Sequence, residues 1–188
     1  MKNMIALQEI GTEHPHYTFI ETLLHTAFPE NERRDDDKQR WNADNEERFH
    51  CLLASDEKSP VGVLTYWDFD TFLYIEHLAI DEALRGKGYG KDVLGTFFES
   101  HTKPVVLEVE HPTDETSRRR ISFYERCGLH LWACDYRQPP YRAKDAWFPM
   151  YLMVTQGASF EKEYPHIRET IYHKVYGADG VRPQSPLR

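Results

Sequence analysis

Apolar positions change period along the chain, and each change marks an element. Met4 to Ile10 is an apolar run of strand length. From Tyr17 the spacing turns helical: Tyr17, Ile20, Leu23, Leu24, Ala27 and Phe28 share one face, which stops at Pro29. The charged run Glu30 to Arg40 then reads as a solvated face with a short helix reaching Asn42. Phe49 to Ser55 and Val61 to Asp68 are rich in strand formers and predict a hairpin across Asp56-Glu57-Lys58-Ser59-Pro60, which Phe72 to Ile80 continues as a meander. Tyr89, Val93, Leu94, Phe97 and Phe98 return to helical spacing, and Val105 to Glu110 is again strand-like. Leu131 to Tyr136 and Trp147 to Val154 predict a last antiparallel pair, separated by a loop whose Pro139 and Pro140 exclude a central strand. The order is that of an α/β domain.

After Gly157 the pattern changes once more. Phe160, Tyr164, Ile167, Ile171 and Val175 form one helical stripe in spite of Pro165. The segment 157–188 is therefore expected to add a helix, docked on its own domain or on a second subunit of a homodimer, followed by a loose tail from Val181 to Arg188. There are no internal repeats and no low-complexity tract.

At 188 residues the chain suits one domain with a proper core. A 13% aromatic content argues against disorder, and the formal net charge of −8 argues against a nucleic-acid partner. No apolar run approaches the ~20 residues of a membrane span, and the first residues lack the apolar core of a signal peptide, so a cytoplasmic location and no membrane partner are expected. Cys51, Cys127 and Cys134 are scattered, with no C-x-x-C spacing, and read as reduced thiols in or near the core. The histidines show no ligand spacing, and no metal is expected.

The strongest chemical signal lies between the Phe72 to Ile80 strand and the helix that follows. Arg85-Gly86-Lys87-Gly88-Tyr89-Gly90 places alternating glycines on a strand–loop–helix path. Backbone N–H groups of such a loop converge at the positive end of the helix dipole, and glycine lets an anion oxygen approach the main chain. Two common phosphate motifs fail here. Lys91 stands where a dinucleotide fingerprint needs a small residue, although Glu108 and Glu110 lie at about the distance of a ribose-binding acid; Asp92 follows Gly90-Lys91 where a Walker loop needs Ser or Thr.

Arg85, Gly88 and Gly90 instead satisfy Arg-x-x-Gly-x-Gly, which resembles the acetyl-CoA pyrophosphate loop of the GNAT superfamily of N-acetyltransferases. Two further features stand in register. Leu78-Ala79-Ile80 resembles the end of the preceding family strand, and Ile121-Ser122-Phe123-Tyr124-Glu125-Arg126-Cys127-Gly128-Leu129 resembles the family helix that ends in Phe-Tyr-x-Arg/Lys-x-Gly-Phe, with Leu129 replacing the last Phe. Val105 to Glu110 fits the fifth strand between them. The resemblance covers about residues 1–156 and departs from the family at Ser117 and Arg120, where Asn and a small residue are usual. It implies a three-layer α+β acyl-CoA N-acyltransferase fold, a mixed and mostly antiparallel sheet of about seven strands flanked by helices.

The same resemblance implies acetyl transfer from acetyl-CoA to an amine within a ternary complex. Pyrophosphate is expected on the backbone of Arg85, Gly86, Lys87, Gly88, Tyr89 and Gly90, with Ser117 also near the cofactor. The pantetheine arm is expected along the main chain of Leu78, Ala79 and Ile80, where that strand splays from the next and its peptide groups need partners. Tyr124 resembles the family's general acid: a phenol of reference pKa about 10 stays protonated at neutral pH and can donate to a thiolate whose parent thiol is near 8.5. Its alternative is a packed helix residue.

For the base, period-two alternation puts Glu76 on the face of Leu78 and Ile80, with His77 on the opposite face, while Glu108 and Glu110 compete from the adjacent strand. Each carboxylate also reads as a salt-bridged strand residue. Tyr66, Trp67, Tyr136 and Tyr141 could wall an acceptor pocket or belong to the core. The acceptor is read as a primary amine of a small molecule or peptide. Transfer to a hydroxyl and a non-catalytic acyl-CoA sensor are the alternatives.

Overall fold

A computed structural model describes residues 4–57, 59–155 and 160–178. The elements in chain order are β1 (Ile5–Glu9), α1 (Tyr17–Ala27), α2 (Asp36–Asn45), β2 (Phe49–Asp56), β3 (Ser59–Asp68), β4 (Leu73–Ile80), α3 (Tyr89–Glu99), β5 (Val105–Glu110), α4 (Glu115–Arg126), β6 (Leu129–Gln138), β7 (Phe148–Thr155) and α5 (Phe160–Thr170). Among the described residues seven strands form one mixed sheet in the order β1-β2-β3-β4-β5-β7-β6. The backbone divides into two compact units, Met1–Leu107 and Glu108–Arg188. The predicted tail from Val181 lies outside the described residues.

In the first unit β1 to β4 pair antiparallel and β4 pairs parallel with the start of β5. β3 is buried from Val61 to Trp67, because α1, α2 and α3 all pack within this unit and leave its central strand no open face. Ile20, Leu23 and Leu24 of α1 and Val93, Leu94 and Phe97 of α3 supply the helical side of that core. α1 ends where it was expected to end. Phe28, held extended by the following Pro29, cannot continue the helix. α2 has Asp35 as its N-cap residue and Asp36 and Asp37 in its first turn, where carboxylates complement the helix dipole.

β3 and β4 approach closely at Gly62, where an added Cβ would sit 2.5 Å from the Ala79 carbonyl oxygen. Farther along, the ladder slips: Thr65 pairs with His77 and Tyr66 with Ile75, which leaves Glu76 as an extra residue in β4. This is a β-bulge, and it disturbs the alternation assumed from the sequence.

In the second unit β6 and β7 form an antiparallel hairpin with an irregularity between Trp132 and Tyr136. α4 packs on β6 and starts with a capping box in which Asp114 and Ser117 satisfy each other's backbone N–H. It ends at Gly128, whose φ of 94° suits a residue without Cβ. α5 passes into a wider π-type turn over Ile171–Val175. Ile167, Ile171 and Val175 are all buried, as the stripe predicted. The Tyr164 hydroxyl donates to the Asp135 carbonyl at 2.6 Å and the Tyr172 hydroxyl to the Arg137 carbonyl at 2.7 Å, so the segment lies against β6 of its own chain.

Candidate active site

The glycine loop leaves β4 through a short 3-10 turn at Glu82–Leu84 and enters α3 at Tyr89. Gly86 and Gly88 take φ of 78° and 88°, a left-handed conformation that a Cβ would strain. Gly88 is the N-cap and offers no side chain, and the first intrahelical bond runs from the Asp92 N–H to the Gly88 carbonyl at 3.1 Å. The amides of the first turn therefore face outward without a capping group, the arrangement an anion can use. Arg85, Gly86, Lys87 and Gly88 are all exposed.

Side chains of the loop turn back on the fold. Arg85 Nε donates to the Ile80 carbonyl at 3.3 Å and Lys87 Nζ to the Ala83 carbonyl at 3.1 Å. The Tyr89 hydroxyl donates to Asp56 Oδ2 at 2.7 Å, and this bond raises the phenol above its usual pKa. The Tyr89 ring thus ties α3 to the end of β2.

Leu78, Ala79 and Ile80 pair with Leu64, Val63 and Gly62 on the β3 side. On the other side, Leu73, Tyr74 and Ile75 pair with Val105, Val106 and Leu107 of β5. Glu76 follows the last of these pairs in β4. As a residue it is part-exposed, yet its side chain is 0% exposed, so the open surface is main chain.

The Glu76 carboxylate does not face an open cleft. Arg34 grips it with both terminal nitrogens, Nη1 to Oε2 at 2.9 Å and Nη2 to Oε1 at 2.5 Å, and Trp67 Nε1 donates to Oε2 at 2.9 Å. His77 was expected on the opposite face from Glu76. Instead both residues reach the segment after α1, Glu76 through Arg34 and His77 through Nε2, which donates to the Glu32 carbonyl at 3.1 Å. The bulge is the physical reason, since an extra residue on one strand breaks period-two alternation.

In the second unit, Tyr124 lies in α4, half-buried with its ring 5.1 Å from Phe123, and desolvation pushes its phenol up to about 12. It is protonated throughout the neutral range. Ser117 is 2% exposed, and its hydroxyl is engaged within the capping box, donating to Asp114 at 3.1 Å. Arg120 pairs with Glu110 at 2.9 Å. Glu108 accepts from the Tyr136 hydroxyl, from Gln138 Nε2 at 2.5 Å and from the Tyr176 hydroxyl at 2.8 Å.

Of the aromatic residues considered for an acceptor wall, Tyr66 and Trp67 belong to the core of the first unit, packed on Phe97 and Phe49. Tyr136 is buried as well, and Tyr141 packs on Tyr176 at 4.9 Å. Sequence reasoning missed Arg34, Gln138 and Tyr176. Arg34 sits inside a charged run that otherwise looks solvated, and the other two come together through long-range pairing that no local pattern reports. Cys51, Cys127 and Cys134 are thiols, and burial pushes that of Cys51 up to about 12. Among the described residues no group of three His, Cys, Asp or Glu side chains converges as a metal site would require. No helix among them is long and apolar enough to cross a membrane.

The seven-stranded mixed sheet, with a glycine loop leading from β4 into α3, can be set beside known proteins. A model of the acetyltransferase (GNAT) family matches residues 17–129, more than half of the chain, which therefore belongs to that family. A candidate acetyltransferase of the GNAT family from Bacteroides thetaiotaomicron is 45% identical, with a TM-score of 0.89 over 92% of this chain and 98% of its own. The Bacillus subtilis candidate acetyltransferase YjbC is 33% identical over 80 residues, 40% of this chain. That match spans only 41% of YjbC. A Bacillus subtilis acetyltransferase solved in complex with CoA shares the fold, with a TM-score of 0.54 at 15% identity over 82% of this chain and 100% of its own.

Proposed function

We propose that the protein transfers the acetyl group of acetyl-CoA to a primary amine of a small molecule or a peptide by direct attack in a ternary complex. The observation that carries this reading is the pairing of an uncapped, glycine-rich N-terminus of α3 with the part-exposed main chain of β4 at Glu76. Acetyl-CoA carries the two groups these features suit, a pyrophosphate and an amide-bearing arm. The CoA complex of a fold relative supports the choice of cosubstrate.

In the transfer the neutral amine nitrogen attacks the thioester carbon, the carbon–sulfur bond breaks, and sulfur leaves as thiolate. Tyr124 supplies the proton that the thiolate takes up, for which its raised pKa keeps it ready. Glu108 accepts the proton lost by the amine. Its carboxylate accepts from the Tyr136 and Tyr176 hydroxyls and the Gln138 amide, neutral donors that orient it without a countercharge among them. Glu76, enclosed by Arg34 and Trp67, is assigned to the architecture of the site.

Two measurements test the reading together. Acetyl-CoA should raise the melting temperature by linkage, and Gly88→Glu should abolish the shift by placing a Cβ and a negative charge at the anion-facing turn. Equal stabilisation of wild type and variant would remove the loop from the site. A panel of primary amines should release CoA from acetyl-CoA. Binding with no release for any amine would leave an acyl-CoA sensor.

A further inference from the structure

We propose that Arg34 and Glu76 act as positioning residues, a desolvated ion pair that holds the β4 bulge in the shape its open main chain needs for acyl-CoA. The inference rests on the reading of that main chain as the acyl-CoA edge. A general base must present a lone pair to the acceptor. Glu76 has a side chain 0% exposed, with both oxygens gripped by Arg34 and one also by the Trp67 indole. It cannot reach an amine unless that pair opens.

The enclosure joins four elements of the first unit. Arg34, 2% exposed, also donates from Nη1 to Gln39 Oε1 of α2 at 3.0 Å. Its guanidinium lies 5.5 Å from the Phe49 ring of β2 and 5.6 Å from the Trp67 ring of β3. The planar fork thereby meets β2, β3, β4 and α2 at once, geometry that a lysine ammonium does not reproduce. The neighbouring bulge residue His77 is fixed from the same segment, through the Glu32 carbonyl. Both residues at the slip in the ladder are therefore held from outside the sheet as well as by side chains of β3, which suits a bulge, whose extra residue has no ladder partner to orient its backbone.

Net stability is a weak reason for such a cluster. A buried ion pair repays its desolvation poorly, and Gln39 Nε2, buried with no hydrogen-bond partner among the described residues, adds a further cost. What the pair supplies is one defined arrangement of the bulge, and with it the placement of the peptide groups from Glu76 to Ile80.

Glu76→Gln, Arg34→Lys and the double variant form the test, read by acetyl-CoA affinity, by amine-dependent CoA release and by the pH profile of kcat/KM. Positioning predicts that each single change weakens acetyl-CoA binding about tenfold and that the double is no worse than the weaker single, because the two act as a unit. The acidic limb of the profile stays in place. A Glu76→Gln protein that binds acetyl-CoA like wild type yet loses turnover and its acidic limb would overturn the proposal in favour of a base. So would Arg34→Lys with unchanged affinity. If a single variant fails to fold by circular dichroism, Arg34→Met/Glu76→Leu removes both charges together and carries the test: weakened binding by a folded protein supports the proposal, and wild-type affinity overturns it. Wild type that binds no acetyl-CoA would instead refute the functional reading beneath it.

Discussion

For a single residue, the desolvation of Tyr124 suits the proton-donor role proposed for it. Removing water from around the phenol disfavours the phenolate, so the pKa rises to about 12 and the proton stays on the oxygen until a strong acceptor appears. Tyr124→Phe should leave acetyl-CoA affinity intact and lower turnover by ~10²–10⁴-fold, the range for general acid–base groups. The sign of the pH effect follows: an acid works in its protonated form, so a decline assigned to Tyr124 belongs near pH 12, and wild-type turnover should show no Tyr124 limb up to pH ~10. Unchanged turnover in the variant would return the residue to packing. The place of Tyr124 near the end of a helix was legible because a motif of several residues surrounds it. The surroundings of Glu76 were not, because they depend on one slipped ladder position and on an arginine 42 residues away in sequence, neither of which leaves a periodic trace.

At the scale of elements, strands and helices with a single dominant period were readable: α1 stops before Pro29, β5 spans the run from Val105 to Glu110, and α3 begins at Tyr89. Of the last pair, β7 was read to within one residue and β6 was read too short. β6 runs from Leu129 to Gln138 across an irregularity that interrupts its alternation and hides its ends. The stripe from Tyr164 to Val175 predicted a buried helical face but could not say what it meets. In the fold it meets β6, and through Tyr176 it reaches Glu108, so the added segment takes part in arranging a carboxylate of the proposed site. Ile171 is 0% exposed at the centre of that face. Ile171→Ala should cost about 2–5 kcal/mol in chemical denaturation, from lost burial and the cavity left behind. A loss below about 0.5 kcal/mol, the usual size for surface changes, would mean that the segment does not stay docked in solution.

For the whole molecule, acid stability follows from groups whose protonation differs between folded and unfolded chains. His77 is 3% exposed, and burial lowers its pKa, an effect that Arg34 and Arg33 reinforce and that Glu76 and the Glu32 carbonyl oppose. The Glu32 carbonyl can only accept, so Nε2 carries the proton of the neutral ring and Nδ1, 3.3 Å from Thr65 Oγ1, does not. A depressed histidine pKa means that the unfolded chain binds a proton more readily than the folded one. Stability is therefore retained above the unfolded value of about 6.5 and lost as the pH falls below it, with a slope of at most about 1.4 kcal/mol per pH unit. Asp36, lowered by its bond to His25, Asp114, lowered by the Ser117 amide, and Glu169, lowered by Arg168, add their losses only in the carboxylate range, near pH 4 and below. The interval between pH 7 and pH 5 thus isolates His77 from these carboxylates. Melting temperature should fall across that interval in wild type, and His77→Gln, though less stable at pH 7, should fall distinctly less. Parallel curves for the two proteins would show that His77 takes up its proton without unfolding the site, and would place the acid sensitivity elsewhere in the chain.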